Sequence, residues 1–174
     1  RAIFRANFVQ DNMDKVADLS AADKERMTGE IKFIRGLCHF TAVRMFAHPY
    51  GYSAKNDHPG IAIVKAASTK PSPRLTVAEA YDAILSDLKE AEAALPESNG
   101  DYADKMSAKA LLAHVYFQMG KYTDAASYAG AVIDSKKYTL SDTVNVFSAD
   151  ASSEHIFKIV STGINDKRSG AFSD

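Results

Sequence analysis

The residues best equipped to bind a ligand lie in one stretch, Pro49-Tyr50-Gly51-Tyr52-Ser53-Ala54-Lys55-Asn56-Asp57. A sugar presents apolar C–H faces ringed by hydroxyls. A site for it therefore needs an aromatic platform beside fork-shaped donors and acceptors. Tyr50, Tyr52, Asn56 and Asp57 supply both types within one loop, which makes them the candidate ligand-binding residues. An architectural reading stands beside this one: the tyrosines pin the loop onto a scaffold and Asn-Asp makes a turn. Residue types alone leave both open.

Other chemistry finds less support. There is no Gly-rich phosphate loop, no His-Glu-x-x-His and no Gly-x-Ser-x-Gly, so no catalytic residue is assigned and an enzyme is not expected. Asp87 and Glu90 form a carboxylate pair on a helix that also carries Lys89, as a solvated face does. Cys38 and His39 are adjacent, but helix neighbours point about 100° apart, and Cys38 reads as a buried, inert thiol on an apolar stripe. His48 and His58 flank the loop near Asp57; both precede proline and lack a recognisable ligand spacing, so no metal and no cofactor is assigned. Arg35 and Arg44 have the chemistry to hold an anion, although such arginines more often pack their stems on a core and pair with a carboxylate or carbonyl. Tyr81, Tyr116, Tyr122 and Tyr128 recur at helical spacing and read as packing residues, and His114 and His155 as packing or surface residues.

Composition narrows the classes further. The 174 residues are 46% hydrophobic and 25% charged, a balance that folds into a globular core rather than a disordered chain. With 21 Lys+Arg against 22 Asp+Glu the net charge is −1, so there is no basic field for a nucleic-acid backbone. A single cysteine rules out a disulfide framework and any multi-cysteine metal site. No run approaches the ~18 uncharged apolar residues of a membrane-spanning helix.

The elements that must position the loop are helical. Ile3, Ala6, Val9, Met13 and Val16 recur at helical spacing over about residues 3–17. Ser20 with Asp23 forms a variant capping box that opens a helix from Ala21 to about Phe46. Its stripe is Met27, Ile31, Ile34, Cys38, Ala42 and Met45, widened by Phe33, Leu37 and Phe40. Residues 47–73 read as a long loop of roughly 27 residues, beyond the length at which unstructured connections become uncommon. Thr76 and Glu79 then stand in capping-box register, and Tyr81, Ile84, Leu85, Leu88, Ala91 and Leu95 carry the buried face of the helix that follows, up to Pro96. A helical hairpin over 107–135 comes next, with Ser107 as N-cap, Ala108, Leu111, Leu112, Val115 and Met119 inward, Gly120 at the turn, and Ala125, Ala126, Ala129, Val132 and Ile133 inward on the return. Val144–Phe147 and Ile156–Val160 read as short strands or extended packing segments. The fold class is all-α: about five helices with long loops and short strands near the C-terminus.

Two resemblances follow from these residues. Leu112-Ala113, Tyr116, Gly120, Tyr122 and Ala125 are similar to the tetratricopeptide repeat signature. More extensively, Glu30-Ile31-Lys32-Phe33-Ile34-Arg35-Gly36 with Phe40 and Val43-Arg44-Met45-Phe46 resembles the Glu-Ala-Lys-Phe-Leu-Arg-Ala…Val-Arg-Leu-Phe helix of the SusD/RagB family. Tyr81-Asp82-Ala83-Ile84, Asp87-Leu88, Ala91, Leu95-Pro96, Ser107–Gly120, Lys137-Tyr138-Thr139-Leu140 and Glu154-His155-Ile156-Phe157 follow in the family's order. The similarity runs from about Asn7 to Ile159. Gly36 and Cys38 depart from the family's signature helix, and the chain has no Trp, on which sugar-binding members commonly stack their ligands.

The SusD/RagB resemblance implies a nutrient- or glycan-binding lipoprotein of the Bacteroidetes outer membrane, of which residues 1–174 form a single helical, tetratricopeptide-like part. The implied partners are an oligosaccharide or other nutrient and a TonB-dependent, SusC-like β-barrel transporter; nucleic acid is not among them. A surface-exposed location, an upstream lipidated cysteine and a large downstream region are expected on the same ground. The alternative is a tetratricopeptide adaptor that binds a peptide, with further repeats outside this window.

Overall fold

A computed structural model describes residues 1–140 and 153–159 of the chain. Five α-helices follow in order, α1 (Ala2–Asn12), α2 (Ala21–Phe46), α3 (Val77–Ala94), α4 (Lys105–Gln118) and α5 (Tyr122–Asp134). A 3₁₀ turn, Met13–Lys15, continues α1, and a two-stranded antiparallel sheet pairs β1 (Pro59–Ala62) with β2 (Arg74–Thr76) between α2 and α3. The all-α class holds. The long connection after α2 is less bare than its composition suggests, because β1 forms inside it. Of the two C-terminal strand expectations, 144–147 and Val160 lie outside the described residues, and 156–159 form no strand.

Local chemistry sets the helix starts. Ser20 Oγ accepts from the Asp23 amide at 3.1 Å, filling one of the donors that the first turn of α2 leaves unpaired. On α3 the capping box closes in both directions: Thr76 Oγ1 takes the Glu79 amide and Glu79 Oε2 takes the Thr76 amide at 2.8 Å. That amide also holds the Glu79 carboxyl below its usual range. The N-cap of α4 corrects the expectation for Ser107. Asp104 caps, accepting from the Ser107 amide at 2.8 Å, and Ser107 is the third helical residue that reaches back to Asp104.

The α4–α5 turn is a Schellman motif. Gly120, at φ +71°, donates to Phe117 O, and Lys121 donates to Tyr116 O, both at 3.0 Å. Tyr116 and Tyr128 then stack across the hairpin with centroids 5.6 Å apart. Among the described residues only one side of α5 is covered. Ala125 and Val132 are buried, whereas Ala126, Ala129 and Ile133, expected inward, are exposed.

The main core lies between α2, α3 and α4, with Phe33, Phe40, Val43, Ile84, Leu88, Leu95, Leu112 and Val115 at its centre. On α3 every residue the periodicity names is buried, and Val77, Ala80 and Asp87 are buried with them. On α2 this does not hold. Ile34 and Met45 are exposed, and Cys38 is half-buried, its thiol pushed up by burial. The buried residues fall on two faces. One runs through Gly29, Phe33, Gly36, Phe40 and Val43; the other through Ile31, Arg35 and His39. The first depends on close approach: a Cβ at Gly36 would stand 2.7 Å from Leu88 Cδ2, and one at Gly29 would stand 2.9 Å from Leu95 Cγ. Glycine is poor for helix propensity but lets α3 seat its leucines against the α2 backbone.

In an unfolding titration, Gly36→Ala is expected to lose stability. The clash with the fully buried Leu88, about 1–3 kcal/mol for overpacking, outweighs the roughly 1 kcal/mol gained in helix propensity. Gly130→Ala on α5, where nothing lies within 4 Å of the new Cβ, is expected to gain up to about 1 kcal/mol.

Candidate functional site

The loop after α2 is anchored to the start of α3. The Val77 amide donates to His58 O at 3.0 Å and the Ala78 amide to Asn56 O at 2.9 Å, so loop carbonyls satisfy first-turn donors of α3. On the other side, Arg74 donates from Nε to Gly60 O at 2.8 Å and from Nη2 to Phe46 O at 3.3 Å, joining the strand pair to the C-terminal end of α2. Gly60 packs so closely on β2 that a Cβ would meet Thr76 O at 2.8 Å.

Within this frame the four candidate residues divide into two pairs. Asn56 is buried and left-handed, at φ +52°; its Oδ1 accepts from the Gly51 amide and its own amide donates to Ser53 O at 3.1 Å. Asparagine tolerates that backbone conformation, and its side chain closes the turn. Tyr50 is half-buried with its ring edge-on to Tyr81, centroids 5.0 Å apart. Both therefore occupy the architectural role weighed against binding. Tyr52 and Asp57 face outward. Tyr52 is 63% exposed and stacks flat on His48, with centroids 4.2 Å apart and planes 10° from parallel. His58 closes the cluster edge-on to Tyr52 at 5.3 Å. The exposed Asp57 accepts from Ser53 Oγ at 2.9 Å, and the same hydroxyl lies 3.1 Å from His58 Nδ1.

The result is a two-ring platform, Tyr52 on His48, with a carboxylate beside it. Residue types mark the tyrosines, whereas the sequence offers His48 and His58 as metal ligands or as turn residues before proline; their ring-packing role follows from the fold of the loop. Among the described residues, no three His, Cys, Asp or Glu side chains come together as a metal site. No described helix is long and apolar enough to cross a membrane.

The remaining candidates are structural. Arg35 is 2% exposed and donates from Nε to Asp87 Oδ2 at 2.6 Å and from Nη2 to Asp87 Oδ1 at 2.5 Å. This corrects the solvated-face reading of Asp87, which is also 2% exposed; a cation presented across the helix interface, invisible to local periodicity, makes its burial tolerable. Glu90 is exposed and pairs with Lys32 at 2.7 Å, which lowers its carboxyl below the usual range. Arg44 lies over the Phe40 ring, 4.5 Å from its centroid.

Residues 1–117 match the SusD-like family model described as starch-binding associating with outer membrane. The fold is similar to that of a SusD superfamily protein from Bacteroides thetaiotaomicron VPI-5482, at 28% identity and a TM-score of 0.79 over 89% of this chain and 36% of that one. It is likewise similar to a putative sugar-binding protein from Bacteroides vulgatus ATCC 8482, at 29% identity and a TM-score of 0.75 over 89% and 38% of the two chains. A laminarin-binding SusD-like protein aligns at 25% identity and a TM-score of 0.73 over 89% and 34%. The chain thus spans a little over a third of the length of these structures. No match was found among curated proteins. The family match over residues 1–117, together with the shared fold, shows that the chain belongs to the SusD-like family.

Proposed function

We propose that this chain is the helical scaffold of a glycan-binding protein at the outer membrane, and that the loop from Tyr50 to Asp57 contributes to capture of an oligosaccharide. The observation that carries the proposal is the Tyr52–His48 stack, an exposed aromatic surface with the His58 ring edge-on beside it. A pyranose ring lays its C–H face on Tyr52, and its hydroxyls find an acceptor in Asp57. Tyr50 and Asn56 belong to the same site as positioning residues. They fix the loop, so little conformational entropy is lost when the ligand docks. Binding makes and breaks no covalent bond, and the work of the molecule is capture, with the glycan handed to a SusC-like, TonB-dependent β-barrel partner. The laminarin-binding and sugar-binding proteins of the same fold support the ligand class.

The peptide-binding adaptor is a second reading with an observation of its own. The open face of the α4–α5 hairpin is an apolar groove lined by Ala113, Phe117, Tyr122, Ala126 and Ala129. It lies on the hairpin, well away in sequence from the 48–58 cluster, so the two readings are separated by which substitutions affect binding.

The test is a glycan panel that includes laminarin oligosaccharides, applied to the full-length protein, with calorimetric titration of the best binder. Tyr52→Ala is expected to weaken that affinity about ten-fold, equivalent to about 1.4 kcal/mol, with an unchanged unfolding midpoint. Tyr50→Ala is expected to lower stability through its lost contact with Tyr81. Unchanged affinity in Tyr52→Ala would remove the loop from the account, and a wild-type protein that binds no glycan in the panel would overturn the reading.

A further inference from the structure

Immediately after β1 the chain runs as an irregular strap, Val64–Ala67, across α1 and α2. It makes no ladder bonds to the sheet and is held by side chains. Asn7 Nδ2 donates to Val64 O at 3.0 Å and to Ala66 O at 3.2 Å. Arg35 Nη1 donates to Lys65 O at 3.4 Å, and the Ala67 amide donates to Asp11 Oδ2 at 2.8 Å. The remaining tie is the Val64 amide, which donates to His39 Nε2 at 3.2 Å.

That last bond requires a neutral imidazole. Nε2 accepts, so it carries the lone pair, and the ring hydrogen sits on Nδ1. His39 is 1% exposed and its Nδ1 has no hydrogen-bond partner among the described residues. A proton arriving on Nε2 would replace the acceptor with a second donor aimed at the Val64 N–H. We infer that His39 is an acid-sensitive latch: proton uptake at its Nε2 releases the Val64–Ala67 strap from α2.

The charged surroundings favour release. From α2 the Arg35 guanidinium and from the strap Lys65 both oppose a further positive charge; from α3 Asp87 would attract it, but both of its oxygens are engaged by Arg35. α1 meets the strap with the uncharged Asn7 amide and, at its far end, with Asp11 on the Ala67 amide. Burial, the largest effect, holds the imidazole below its ordinary value of 6.5, with Arg35 and Lys65 adding to it and Asp87 working against it. A base held low in the closed form takes up its proton on opening. The latch is therefore secure above about pH 6.5, and each unit below that favours the open strap about ten-fold until the closed form itself titrates.

Hydrogen exchange read at the Val64 amide tests this. After correction for the intrinsic pH dependence of exchange, its protection factor is expected to fall between pH 7.5 and 5.5, by up to about ten-fold. Protection at Leu112, in the α4 core, is expected to stay constant. His39→Gln supplies a neutral acceptor and is expected to abolish the pH dependence at Val64. If that variant fails to fold, the nitrogen shifts of the wild-type imidazole decide instead: persistence of the neutral, Nδ1-protonated ring to below pH 6 while closed supports the latch. Equal behaviour of Val64 and Leu112 across the range, an undiminished pH effect in His39→Gln, or an imidazolium at pH 7 would overturn it.

Discussion

The arrangement of this molecule depends on one buried ion pair. Arg35 and Asp87 sit on different helices, with side chains only 2% and 3% exposed. Removing two such charges from water costs several kcal/mol per ion, which their attraction offsets only when the geometry is good and every remaining donor is satisfied. Here the pairing is bidentate, and the guanidinium's third nitrogen is surrounded by Asn7 Oδ1 and Gln10 Oε1 at 3.2 Å and by Lys65 O. Lys32 approaches Asp87 from the other side at 3.5 Å. Satisfying one arginine thus draws α1, α2, α3 and the strap into a single register. Apolar contact between α2 and α3 would tolerate small rotations; a forked guanidinium on a carboxylate does not.

This explains which parts of the structure are legible in the amino-acid sequence. Features with short-range causes are visible: Ser20 and Thr76 with Glu79 mark helix starts, Gly120 marks the hairpin turn, and the leucines of α3 mark its core face. The rotation of α2 is not, because its buried surface includes Arg35, His39, Gly29 and Gly36, residues that a hydrophobic stripe counts as breaks. Their burial has a long-range cause, namely Asp87 and the leucines of α3. Asp87 was hidden for the same reason. The cap of α4 is hard to read locally, because Asp104 and Ser107 are spaced as partners in one capping box and either type suits an N-cap.

The loop is a more informative case. Tyr50, Tyr52, Asn56 and Asp57 share a residue-type signature, yet alternate between inward and outward roles. Composition cannot separate them, since a tyrosine that pins a loop and one that receives a sugar have the same side chain. The separation comes from Tyr81 on α3, which occupies the Tyr50 ring, and from the left-handed backbone at Asn56, which turns its amide into the closing bond. With those two spent on architecture, Tyr52 is left outside on His48. The scaffold and the candidate site are therefore one design, in which α3 supplies the carboxylate of the ion pair, the ring that seats Tyr50 and the amides that hold the loop.

The most direct measurement of the central claim is a double-mutant cycle on the ion pair, with unfolding free energies for wild type, Arg35→Met, Asp87→Leu and the double variant. If the pair organises the scaffold, each single change costs about 3–5 kcal/mol because it strands a buried charge. The double variant then costs much less than the sum, leaving a coupling of at least about 3 kcal/mol. Additive effects, or single changes within about 0.5 kcal/mol of wild type, would contradict the account.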